Sequence, residues 1–104
     1  MRLLSILRLR GNKVKNALRK GATIIDVRTA SDFDQGKIRN SFNIPIERVD
    51  LNLGRIRNMR RPIIICGDSH QSAEVVLSIL RENGVNDVHN GGNWGHLLKV
   101  IRSL

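Results

Sequence analysis

Cys66 is the only cysteine in this chain, and its neighbours suit chemistry at sulfur. It closes the apolar run Ile63-Ile64-Ile65 and precedes the turn-rich segment Gly67-Asp68-Ser69-His70-Gln71-Ser72. Ala73, Val76, Leu77 and Leu80 then fall at i, i+3, i+4 and i+7, the spacing of an amphipathic helix. Strand, cysteine, tight loop and helix in that order aim a sulfur at loop N–H groups and at the positive end of a helix dipole. Both favour thiolate over thiol. The expectation is a nucleophilic Cys66 with a pKa below the free-thiol value of about 8.5. The backbone N–H groups of Gly67, Asp68, Ser69, His70, Gln71 and Ser72 would cradle an anion there. Asp68 would raise the thiol pKa and repel an anionic substrate, while a protonated His70 would offset it. Gln71 offers a hydrogen bond without a charge. Asp26 and Arg28 mark the end of a second strand, Arg28 serving either as an ion-pair partner or as a ligand for an anion.

The elements that must position these residues follow from periodicity. Thr23-Ile24-Ile25-Asp26-Val27 is a continuous β-branched run, as a buried strand requires. Ser41 to Ile44 is a short strand closed by Pro45, and Ile63 to Ile65 a third. Val85 to His89 reads as the last strand and Asn90-Gly91-Gly92-Asn93 as a turn, its glycines serving positive φ. Gly11 should break the N-terminal pattern and Lys13 to Lys20 should form a short helix, stopped at Gly21. A one- to two-turn helix near Ala30 ends at Gly36, and a short helix with loop fills Ile46 to Arg57. The helix after Cys66 stops at Asn83-Gly84, and Trp94 to Ser103 closes the chain with Leu97, Leu98 and Ile101 inward. Trp94 is expected to pack against that closing helix. Alternating short strands and helices predict an α/β fold, a small parallel sheet with helices on both faces. Active sites in such sheets lie at the C-terminal strand ends.

The 104 residues suffice for one small core. A segment 1–20 packing on a domain 21–104 is the expected organisation. One cysteine cannot form an internal disulfide, which points to a reducing cytoplasm. All but three of the 18 Lys and Arg residues lie at or before Arg61, and the net charge is +9. Only Phe33, Phe42 and Trp94 are aromatic, too few for stacking bases, so no nucleic-acid partner is expected. The apolar run at residues 1–7 is cut by Arg8 and Arg10, far short of the roughly 20 residues of a membrane span. It is expected to dock on the domain. Cys66, His89 and His96 lack metal-ligand spacing.

Ile25-Asp26-Val27-Arg28, Asp32-Phe33, Gly36-Lys37-Ile38, Asn43-Ile44-Pro45, the cysteine after an apolar strand, and Gly91-Gly92 with Trp94 form an ordered set. Together they resemble a single-domain rhodanese-like protein, from about Gly21 to Leu98. The resemblance implies a three-layer rhodanese-like fold and a sulfurtransferase. Its cysteine takes a sulfane sulfur from thiosulfate or a protein persulfide, holds it as a Cys66 persulfide, and passes it to a thiophilic acceptor such as cyanide or a thiol. No cofactor and no metal are expected, and the resemblance makes Asp26 structural. The family loop often reads Cys-Arg-x-Gly-x-Arg followed by Ser or Thr. Here Gly67 and Gln71 stand at the arginine positions and Ser69 at the glycine, with the six-residue length from Cys66 to Gln71 kept. That length resembles the sulfur-transferring members, and the missing arginines imply weak thiosulfate affinity. Lys37 stands where a His is common. The rival reading is a non-catalytic rhodanese-like protein-binding module. A third is a nucleic-acid or membrane-surface binder led by the basic N-terminal half.

Overall fold

The computed structural model describes residues 3–104, with side chains from residue 11 onward. The expected docking of residues 1–7 lies outside the described side chains. Helix α1 (Leu3–Arg19) leads through Gly21, at φ +78°, into β1 (Thr23–Asp26). Helix α2 (Ala30–Gln35), the short β2 (Phe42–Asn43), two 3-10 turns and α3 (Leu53–Arg57) follow. Strand β3 (Ile63–Gly67), α4 (His70–Glu82), β4 (Val88–Asn93) and α5 (Trp94–Arg102) complete the fold. The sheet is four-stranded and parallel in the order β2-β1-β3-β4.

Strand β3 is central and buried from Ile63 to Gly67, so both of its faces must be apolar. Its pleat alternates side chains between two cores. Ile63 and Ile65 join Val76, Leu77 and Leu80 of α4 and Ile56 of α3 on one face. Ile64 and Cys66 join Ala17 of α1 and Leu97 of α5 on the other, with Val14, Leu18, Leu98 and Ile101 packed around them.

Three sequence expectations are corrected. Gly11 does not break the N-terminal helix, because α1 runs through it. One glycine costs about 1 kcal/mol in a helix interior, too little to stop a helix whose next turns pack Val14, Ala17 and Leu18 on the sheet. The last strand is Val88–Asn93, so Asn90-Gly91-Gly92-Asn93 is strand and not turn. A Cβ at Gly91 would stand 2.6 Å from Ile64 Cγ2 and 3.0 Å from Leu97 Cδ2. Gly91 is there for close packing, and only Gly92 has positive φ, at +71°. The helix after Cys66 starts at His70 rather than Ala73, because Ser69 and Ser72 form a reciprocal capping box.

Three arginines of the basic first half have a structural use. Arg57 donates to the Asn83 carbonyl at 3.0 Å, and Arg61 to the carbonyls of Asn86, Arg57 and Met59, each at 3.0 Å. Arg60 reaches the Lys20 carbonyl at 3.4 Å. These guanidinium groups satisfy chain carbonyls at loops and helix ends, where no helical partner exists.

Candidate active site

The C-terminal ends of β1 and β3 are neighbours in register, Asp26 opposite Cys66. At the end of β1, Asp26 is fully buried and Arg28 is 5% exposed. The Arg28 N–H donates to Asp26 Oδ1 at 3.0 Å, its Nε to Oδ2 at 3.0 Å and its Nη2 to Oδ2 at 2.8 Å. The same guanidinium donates to the carbonyls of Asp32 at 3.2 Å and Gly36 at 2.6 Å, and lies 4.1 Å over the Trp94 ring. Asn43 Nδ2 donates to the carbonyls of Asp26 and Arg28. A fork spent in this way fixes α2 and the start of α5 onto β1. Of the two roles open to Arg28, the geometry gives the ion pair. Trp94 stacks on Arg28 and closes on Gly36, where a Cβ would stand 3.2 Å from the ring. Lys37 is exposed and lies over the Phe33 ring at 5.1 Å.

At the end of β3, Cys66 is fully buried and its carbonyl accepts from Val27 N–H at 2.9 Å. The strand does not end at Ile65, as the sequence suggests, but continues through Cys66 and Gly67. The pleat therefore sends the thiol to the α1 and α5 face, with Ile38, Ile64 and Leu97, while α4 covers the opposite face. The expected low pKa is corrected with it. Burial above all, then the Asp26 carboxylate, push the Cys66 thiol up from 9.0 to about 12, with Arg28 pulling the other way. A neighbouring cation already committed to a carboxylate compensates only part of the burial cost.

The loop is shorter than a six-residue cradle. Gly67 is buried within β3, and its Cβ position would lie 3.0 Å from both Ser72 Oγ and Val27 Cγ2. Ser69 N–H donates to Ser72 Oγ at 3.2 Å and Ser72 N–H to Ser69 Oγ at 3.1 Å. Two of the six expected cradle donors are thus spent on the helix cap. Asp68, His70 and Gln71 are exposed. Asn93 Nδ2 donates to the Asp68 carbonyl at 3.0 Å, and Asn90 Nδ2 to the His70 carbonyl at 3.0 Å. Asn93 Oδ1 also caps α5 by accepting from His96 N–H at 3.0 Å. Sequence reasoning missed Asn43, Asn90 and Asn93 as the ties that hold this end of the sheet. Asn93 had a signal, a capping residue directly before a helical pattern. The Ser69 and Ser72 pair also falls at capping-box spacing.

The Rhodanese-like domain family matches residues 11–92. The uncharacterized protein YqhL of Bacillus subtilis (strain 168) is 32% identical over 83 residues, which cover 76% of this chain and 65% of that relative. The chain thus spans less than two thirds of the length of the curated relative it matches. The crystal structure of a rhodanese-like domain protein from Staphylococcus aureus is 26% identical, with a TM-score of 0.68, over 84% of this chain and 86% of that one. The reduced Bacillus anthracis CoADR-RHD is similar in fold, with a TM-score of 0.62 and 24% identity, over 89% of this chain and 16% of that one.

Proposed function

Because the chain belongs to the rhodanese-like domain family, which includes sulfurtransferases, we propose that it carries sulfane sulfur on Cys66. The observation that carries this reading is the position of Cys66 at the carboxyl end of the central strand, directly before a capped helix. A deprotonated Cys66 attacks the outer sulfur of a donor persulfide, forming the Cys66 persulfide and releasing the donor thiolate. With thiosulfate the leaving group is sulfite. An acceptor thiolate or cyanide then attacks the outer sulfur and returns the Cys66 thiolate.

The surroundings of Cys66 favour a persulfide donor over thiosulfate. The loop offers no guanidinium at Gly67 or Gln71, exposed Asp68 adds a negative charge, and Arg28 is committed to Asp26. The buried thiol must lose its proton and be uncovered before it reacts, so loading should be slow at neutral pH and rise with pH.

The test is intact-mass measurement after incubation with thiosulfate, and separately with a low-molecular-weight persulfide, on wild type and Cys66→Ala. One sulfur gained by the wild type alone and discharged by cyanide as thiocyanate is the expected result. No sulfur gained from either donor would overturn the reading. One observation favours a second reading, a protein-binding module without catalysis: the thiol is fully buried and its pKa is raised to about 12.

A further inference from the structure

Cys66 does not line the main groove found among the described residues. A groove of about 1050 Å³ runs along β4, and its walls come from α4 on one face of the sheet and from α1 and α5 on the other. It therefore straddles the sheet edge. Strand β4 has β3 on one side and, among the described residues, no strand on the other. The Asp87 carbonyl accepts from Ile63 N–H at 3.0 Å, so it points toward β3. Backbone groups of alternate residues point to opposite sides of a strand, which turns those of Val88 and Asn90 toward the groove. An outward row of N–H and C=O groups between two walls of helix is the geometry that accepts an added strand.

The lining selects what kind of strand. Its floor is apolar, with Val14, Val88, Leu97 and Val100. Its charged rim holds Lys13, Lys15 and Arg81 against one carboxylate, Glu74, which sits 3.7 Å from Arg81. His70, His89 and His96 add no negative charge, and the whole chain carries +9. We propose that this groove binds an extended acidic segment of a partner protein, which adds to β4 as a fifth strand. Its apolar residues meet the apolar floor, and its Asp or Glu residues meet the basic rim of Lys13, Lys15 and Arg81. The groove reaches His70 and Asn93, which flank the loop after Cys66, so the segment would end beside that loop.

The probe is a labelled eight-residue peptide of alternating valine and glutamate, titrated by fluorescence anisotropy into the full chain at low and at physiological salt. The expected result is saturable binding that weakens with salt, with backbone amide NMR shifts concentrated in Val88–Asn93. The same peptide methylated at alternate backbone amides keeps its charge but cannot pair as a strand, and should lose binding. A valine–lysine peptide should not bind. The double variant Lys13→Glu, Lys15→Glu changes two α1 side chains outside the buried cores, and should weaken the acidic peptide roughly tenfold. Equal binding of the methylated peptide would overturn the proposal by showing charge recognition without strand addition. Equal binding of both charge types, or shifts away from β4, would overturn it as well. A chain that dimerises through β4 and ignores the peptide would assign the groove to a second copy.

Discussion

The two strand ends that meet at the candidate site solve opposite problems. At the end of β1 a carboxylate and a guanidinium are buried together, and each is answered by short hydrogen bonds and an aromatic face. At the end of β3 a neutral sulfur is buried among Ile38, Ile64 and Leu97, and the polar loop beyond it turns outward. At the first end, removing one partner strands a buried charge. The second is closed because its reactive group is stable there only while protonated. A cation near a thiol therefore does not make a thiolate: Arg28 is close enough to lower the Cys66 pKa, yet burial and Asp26 raise it further. What matters is whether the cation's pull outweighs the cost of burial, and at Cys66 it does not.

The largest effect should come from breaking the first end. Asp26→Ala leaves the Arg28 guanidinium buried without its carboxylate, which costs about 3–5 kcal/mol. Urea unfolding of a chain this small should show a collapse of the midpoint, whereas Gln71→Ala on the exposed loop should shift stability by less than about 0.5 kcal/mol. Similar midpoints for the two variants would remove the contrast between the ends.

Next in size is the pH dependence set by Cys66. The unfolded thiol ionises near 9.0 and the folded one near 12, so folding favours the protonated form. The resulting stability is fully present below about pH 9 and drains away as pH rises toward about 12, by up to ~4 kcal/mol. The unfolding free energy of the wild type should therefore fall more steeply over that range than that of Cys66→Ala. Iodoacetamide alkylation of folded wild type should likewise keep rising about tenfold per pH unit beyond pH 9, where a free thiol levels off. A plateau near pH 7 would mean an activated thiolate and a site unlike the one described.

A smaller effect is expected at Gly91→Ala, where the new methyl meets Ile64 and Leu97. Overpacking of this kind costs about 1–3 kcal/mol, measurable as a lowered midpoint. Gly91 also marks where sequence reading runs out. Gly91-Gly92 is a turn signal by composition, and nothing local says that Ile64 and Leu97 press on the backbone there. Strong local patterns were readable: the β-branched run from Thr23 to Val27, the apolar run before Cys66, and the helix period from Ala73 to Leu80. The alternation of layers, and with it the parallel sheet, followed from these. What was not readable was the side of the sheet that Cys66 faces. That depends on β3 continuing two residues beyond Ile65, through Gly67, and so on pairing with β4, which is a long-range contact. The pKa expectation failed for the same reason, since a helix terminus acts on a thiol only if the strand pleat points the thiol toward it.

The finest contrast concerns the loop itself. Gln71 is exposed in the first turn of α4, at a position where the family resemblance puts an arginine. Gln71→Arg adds an exposed guanidinium to the loop, in contrast to the buried Arg28. It should lower the KM for thiosulfate by roughly five- to tenfold, about 1 kcal/mol, and leave the rate with a neutral persulfide donor nearly unchanged. The gain should shrink as salt is raised, because the site at Gln71 is open to solvent while that of Arg28 is not. Steady-state kinetics with both donors at two ionic strengths would measure it. A gain of the same size for both donors would mean that the arginine changes access to Cys66 rather than anion binding. In that case the closed second end of the sheet, and not its missing charge, is what limits the reaction.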